Sequence, residues 1–140
     1  EVNLIGVMLT NQLAIRSMID LDVKGSIINI ASIAGKRPLP GAADYCVSKS
    51  GVIMLTQAVS AEVCGRGIRV NAIGPGFIET PMTASIRQSE EGVDMVMGMT
   101  PMNRFGVPEE IANTALFLAS DESSYFSGQT LFPNGGMFIG

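Results

Sequence analysis

Apolar positions recur along the first twenty residues at helical spacing: Leu4, Val7, Met8, Leu9, Leu13, Ile15, Met18 and Ile19. The run predicts a helix over residues 3–20, apolar on more than one stripe and therefore buried on two sides. The period then changes. Residues 26–31 form a short apolar run without alternation, the pattern of a parallel strand covered on both faces. Gly35, Pro38, Pro40 and Gly41 mark a loop after it. Helical spacing resumes over 43–64 and stops at Gly65 and Gly67. Residues 68–73 predict a second strand, broken by Gly74-Pro75-Gly76. Residues 81–99 are apolar and rich in methionine, with Pro81 suited to a first helical turn and Gly92 and Gly98 interrupting. They predict a mobile apolar lid, with a plain surface helix as the alternative. Pro108-Glu109-Glu110 opens a helix through Ala119, and Thr130-Leu131-Phe132 is a last short strand. Alternating strands and helices argue an α/β domain with a doubly wound parallel sheet, spanning residues 1–140 as one unit.

Composition narrows the function classes. The net charge is −4, and the few Lys and Arg residues are scattered, which disfavours a nucleic-acid-binding face. No apolar run is expected to reach bilayer-spanning length, and no signal peptide is legible, so no membrane partner is expected. The chain contains no histidine, which excludes a Ser-His-Asp triad and histidine-based metal sites. Its two cysteines, Cys46 and Cys64, lie roughly 27 Å apart if one helix carries both, beyond the ~7 Å that a disulfide allows. A reducing, cytoplasmic setting follows as an expectation. Cys46 beside Tyr45 reads as a small buried apolar residue more readily than as a nucleophile.

The candidate chemistry lies in Tyr45-Cys46-Val47-Ser48-Lys49, thirteen residues after Ser32. Tyrosine and lysine four apart share one helix face. A free phenol titrates near pH ~10, and a neighbouring ammonium favours the phenolate, so the pair suits general acid–base work. A serine hydroxyl folded beside it can hydrogen-bond a carbonyl or alkoxide oxygen. Together they suit interconversion of a ketone and an alcohol. Ligands in open α/β sheets bind beyond the C-terminal strand ends. Ser32 ends one strand and Pro75-Gly76 the next, with Tyr45 and Lys49 on the helix between, so all converge on one sheet edge. No Gly-x-Gly-x-x-Gly phosphate loop is present.

In order and spacing, Ser32, Tyr45 and Lys49, the run Ile68 to Gly76, Ser127-Gly128-Gln129-Thr130 and Asn134-Gly135-Gly136 resemble the short-chain dehydrogenase/reductase family. The nearest branch is the bacterial-type β-ketoacyl-acyl-carrier-protein reductases. The resemblance implies the C-terminal portion of a Rossmann fold, with the phosphate loop and earlier strands preceding Glu1, and hence a chain inactive by itself. It implies NAD or NADP as cofactor, the choice resting on a strand not seen here. It implies Tyr45 as proton donor and acceptor, Lys49 as its activator and ribose ligand, and Ser32 as the carbonyl-polarising donor. Asn3 matches an asparagine whose backbone holds a water leading to Lys49; a polar residue near a helix N-terminus is the simpler alternative. Pro75, Gly76, Ile78 and Thr80 match a nicotinamide-facing loop, where glycine would let the backbone approach a flat ring. Asn134-Gly135-Gly136 reads as structural. Arg66 matches a basic residue facing an acidic carrier, or a solvated helix end. The implied partners are a small carbonyl or alcohol substrate, acyl thioesters included, and further copies of the chain in a dimer or tetramer. Two other readings compete. One is a non-catalytic oligomerising subunit on the same fold, against which the intact Ser32, Tyr45 and Lys49 argue. The other is a sugar-nucleotide epimerase or dehydratase, against which the short tail argues.

Overall fold

The computed structural model describes residues 1–139. A π-helical turn, Val2–Gly6, runs into α1 (Val7–Asp20). β1 (Gly25–Ile30), a 3-10 turn (Ile33–Gly35) and α2 (Ala43–Val63) follow, then a 3-10 turn (Cys64–Arg66) and β2 (Ile68–Ile73). A third 3-10 turn (Pro81–Thr83) leads into α3 (Ala84–Arg87), α4 (Glu90–Met99) and α5 (Pro108–Ala119). A last turn (Asp121–Ser123) precedes β3 (Thr130–Leu131). The three strands form a parallel sheet in the order β1-β2-β3. β1 pairs with β2 from Gly25↔Ile68 to Ile30↔Ile73, and Ala72 stands opposite Thr130.

β2 is the central strand, and its composition shows why. Ile68, Val70, Ala72 and Ile73 are almost wholly buried. On one face α1 and α2 cover the sheet, packing Ile15, Met18, Val59 and Val63 over Ile68 and Val70, and Val52 and Ile53 over Ala31 and Ala72. Each such side chain contributes about 1.5–3 kcal/mol by leaving water. On the opposite face α5 is tied down by its own last carbonyls. Ser26 Oγ donates to Leu118 O, and the Arg69 guanidinium donates to Leu118 O and Ser120 O. These bonds satisfy acceptors that a helix C-terminus otherwise leaves unpaired. The layers are those expected of a doubly wound sheet.

Two expectations need correction, and a third takes its detailed form. The helix over 3–20 is not buried on two sides here. Asn11 is its one buried residue, while Leu9 and Leu13 stand 50 % and 69 % exposed, because no described element covers the outer face. The same helical run, Val2–Asp20, is long and apolar enough to cross a membrane by length and composition, with mean hydropathy 1.2. This overturns the expectation that no run approaches that length. Thr10, Asn11, Gln12 and Arg16 interrupt the run, yet the apolar residues around them hold its average at 1.2. In the fold the helix lies on a sheet, with Asn11 hydrogen-bonded to Asn29. Lastly, 81–99 is a turn and two helices, broken where Ser89 Oγ caps α4 by accepting from Gly92 N at 3.1 Å. Val96 is the buried residue of α4, and Met95 points out, the burial pattern of a surface helix.

Candidate active site

The ends of β1 and β2 are tied together before any side chain is considered. Ala31 N–H donates to Ile73 O at 2.7 Å, and Ile33 N–H donates to Pro75 O at 2.9 Å. Ser32 sits between these bonds, extended and buried, and its Oγ accepts from Ala34 N at 3.1 Å. That bond caps the 3-10 turn and occupies one lone pair, leaving the hydroxyl proton free to be donated. The turn then docks on α2. A Cβ on Gly35 would lie 2.9 Å from the Lys49 backbone, so only glycine permits the approach, and Ser50 Oγ donates to Gly35 O at 2.8 Å. Ser32 is thereby held at a fixed offset from the helix turn that carries Lys49.

Tyr45 and Lys49 occupy successive turns near the start of α2, both half-buried. Lys49 Nζ donates to Ile30 O at 2.9 Å and stands 5.7 Å from the centre of the Tyr45 ring, within cation–π reach. Burial pushes the Lys49 ammonium below its ordinary value.

Across the space from these groups runs the segment after β2. Gly76 N–H donates to Pro133 O at 3.1 Å. A Cβ at Gly76 would meet Asn134 Cα at 2.8 Å. The glycine therefore accommodates the neighbouring chain, a constraint beside the expected approach to a flat ring. Asn134 holds a tight turn of its own, accepting from Gly136 N at 2.8 Å, while Gly135 and Gly136 take left-handed φ of 65° and 88°. This is a structural part, as the sequence suggests. Ile78 is buried and bridges to Gly106. Thr80 N–H donates to Thr83 Oγ1 at 3.2 Å, and Thr83 Oγ1 donates to Ile78 O at 2.6 Å, so the segment folds back on itself beside the site.

Ser32, Tyr45, Lys49, Pro75, Gly76, Ile78 and Thr80 line one half-open cavity of about 550 Å³. Pro81 and Met82 close one side and Ile111, Ala112 and Ala115 of α5 another. The walls are largely apolar and the polar groups few, which suits a small organic ligand. Asn3 is not among the lining residues. It is exposed on the π-helical turn, whose Leu4 packs where a Cβ on Gly51 would lie. Arg66 is exposed at the far end of α2.

Sequence reasoning missed two supports. The first holds the α5 wall. Arg104 forks onto Glu110 at 3.0 and 2.6 Å, and Glu110 Oε2 also accepts from Val107 N at 2.9 Å as the third residue of α5. The Arg104 hydrogen bonds, then the Val107 N–H, hold the Glu110 carboxyl down at about 2. Pro108-Glu109-Glu110 at a helix start carried that signal. The second is a buried set of amides, Asn11 and Asn29 with Thr56. An asparagine amid isoleucines in a strand was its signal.

A family model described as enoyl-(acyl carrier protein) reductase matches residues 1–138. The chain is 46 % identical over 139 residues to a 3-oxoacyl-[acyl-carrier-protein] reductase from Thermotoga maritima, covering 99 % of this chain and 55 % of that protein. It is 44 % identical over 138 residues to a (3R)-3-hydroxyacyl-CoA dehydrogenase from Canis lupus familiaris, covering 99 % and 52 %. Among solved structures, it superposes with TM-score 0.93 on a gluconate 5-dehydrogenase from Burkholderia cenocepacia in complex with NADP and tartrate, at 37 % identity, covering 97 % of this chain and 53 % of that one. The chain thus spans about half the length of the relatives it matches.

Proposed function

This chain belongs to the short-chain dehydrogenase/reductase family, and from that premise we propose that the protein carrying it interconverts a ketone and a secondary alcohol with NAD or NADP. The observation that carries the reading is the convergence of Ser32, Tyr45 and Lys49 on one cavity with Gly76, Ile78 and Thr80 opposite.

The residues present fit the reactive half of such a cofactor. Lys49 has spent one ammonium hydrogen on Ile30 O and keeps two for ribose hydroxyls. Pro75 and Ile78 offer an apolar wall to a flat ring, and Thr80 a polar group for its carboxamide. When bound, the cofactor supplies or accepts the hydride. The protein's own groups do the rest. Ser32 donates a hydrogen bond to the substrate oxygen. Tyr45 gives that oxygen its proton in reduction and takes it back in oxidation. Lys49 holds a positive charge where negative charge develops. Asn3 is assigned the outer end of a proton path to Lys49. For the substrate we favour a 3-oxoacyl thioester, supported by what two relatives are named for.

The test is oxidation of NADH and of NADPH by the full-length protein with acetoacetyl thioesters and with simple ketones. Reduction of the thioester is expected. Turnover of simple ketones alone would remove the thioester and keep the class; turnover of neither, with either cofactor, would overturn the whole reading.

A further inference from the structure

We propose that Asn11, Asn29 and Thr56 form a positioning triad that sets Lys49 and Ser32 relative to each other, so that these three buried residues govern turnover without touching substrate. The inference rests on the oxidoreductase reading and deepens it.

The triad stands out because apolar side chains would fill its place. β1 reads Gly-Ser-Ile-Ile-Asn-Ile, and Asn29 is 5 % exposed; Asn11 and Thr56 are 2 % and 0 % exposed. Every hydrogen that these groups carry is placed. Asn11 Nδ2 donates to Asn29 Oδ1 and to Val7 O, both at 2.8 Å. Asn29 Nδ2 donates to Asn11 Oδ1 at 3.2 Å and to Thr56 Oγ1 at 3.0 Å. Thr56 Oγ1 donates in turn to Val52 O at 2.8 Å. Apolar contacts are non-directional. Hydrogen bonds fall off steeply with distance and angle, and a buried one cannot be traded for water. Three elements joined in this way cannot slide past each other without leaving an amide unpaired.

Those three elements carry the candidate site. α1 continues from the turn bearing Asn3, β1 leads within three residues to Ser32, and α2 bears Tyr45 and Lys49. The link to Lys49 is short. Lys49 and Thr56 are seven apart and share a face of α2. Both reach neighbouring residues of β1: Lys49 the Ile30 carbonyl at 2.9 Å, Thr56 the Asn29 amide at 3.0 Å. The docking of Gly35 fixes the turn after Ser32, and the triad fixes the helix against the strand before it. Remove the triad and the lysine keeps one attachment of two.

The test uses the full-length protein and three variants. Thr56→Val keeps the shape and leaves an Asn29 hydrogen without an acceptor. Thr56→Ser restores the hydroxyl. Asn11→Leu with Asn29→Leu removes both amides together, and Thr56 keeps Val52 O as its partner, so no buried group is orphaned and folding is protected. Misplacement by about 1 Å can slow turnover roughly 100-fold. Thr56→Val and the double variant are therefore expected to lose about tenfold or more in kcat with little change in KM, and Thr56→Ser to recover most of it. A second readout needs no cofactor: the pH dependence of Lys49 labelling by an amine reagent, Tyr45 being the ionisable side chain that Lys49 faces. Its midpoint is expected to move toward that of an ordinary lysine in Thr56→Val and in the double variant. Folded variants with wild-type kcat and a wild-type labelling midpoint would overturn the triad. If the wild type reduces no carbonyl at all, the reaction reading fails, and the labelling midpoint still decides this one.

Discussion

Lys49 is asked to do two things, and Tyr45 one, so single substitutions should separate them. Tyr45→Phe in the full-length protein keeps the ring and removes the proton. Turnover is expected to fall about 100- to 10,000-fold while cofactor Kd is retained; a loss below about tenfold would remove Tyr45 from proton transfer. Lys49→Ala is expected to lower turnover and cofactor affinity together, and an unchanged Kd by calorimetry would count against the ribose contact. Lys49 also has a stability signature. Its folded pKa is lowered by burial, so the folded state binds fewer protons than the unfolded chain between the lowered value and the ordinary one near ~10.4. Stability attributable to this group therefore rises with pH through that window and is at its least below it. Lys49→Met should accordingly melt above wild type at pH 7, with the gap closing as pH rises. No gap at either pH would mean that the ammonium is solvated. Gly76 is a residue whose need was legible and whose packing constraint was not. The sequence shows a glycine in a strand-ending turn; only the fold shows Asn134 Cα at 2.8 Å from its missing Cβ. Gly76→Ala should lower stability by about 1–3 kcal/mol through overpacking.

At the scale of elements, α5 depends on one carboxylate. Glu110 caps its first turn and holds Arg104, and its folded pKa of about 2 lies below its ordinary value of 4.5. The contribution is present above pH ~4.5 and lost as the pH falls toward ~2, because protonation removes the acceptor. Wild type should lose thermal stability across that interval more steeply than Glu110→Gln; parallel curves would mean that the pair adds nothing. The strands, α2 and α5 were legible because short apolar runs and helical spacing differ in period. The convergence of Ser32, Tyr45 and Lys49 was legible because strand ends and helix faces are set by counting. The α5 wall and the Arg104–Glu110 support were not, since nothing in their spacing says which loop they face. Residues 81–99 left both readings open because methionine and glycine fit a moving flap and a surface helix equally.

At the scale of the molecule, the uncovered outer faces of α1 and α2 set an expectation about assembly. Leu9, Leu13, Val47 and Met54 are each at least half exposed, and a groove of about 890 Å³ runs between the helices. The full-length protein is expected to be a dimer or tetramer through these faces, and light scattering at low micromolar concentration that found a stable monomer would leave them without an occupant. β1 carries a different consequence. In a parallel ladder the backbone groups of successive residues point to opposite edges. Ala31 N–H is satisfied by Ile73 O, whereas Ile30 turns its carbonyl outward, where Lys49 takes it. The amides of Ile28 and Ile30 thus share the open edge, while those of Asn29 and Ala31 are locked into β2. Deuterium uptake along this strand should alternate, fast and slow, residue by residue. Pairing of any further strand would flatten that rhythm at Ile28 and Ile30 first, making two isoleucine amides a clock for completion of the sheet beside the site.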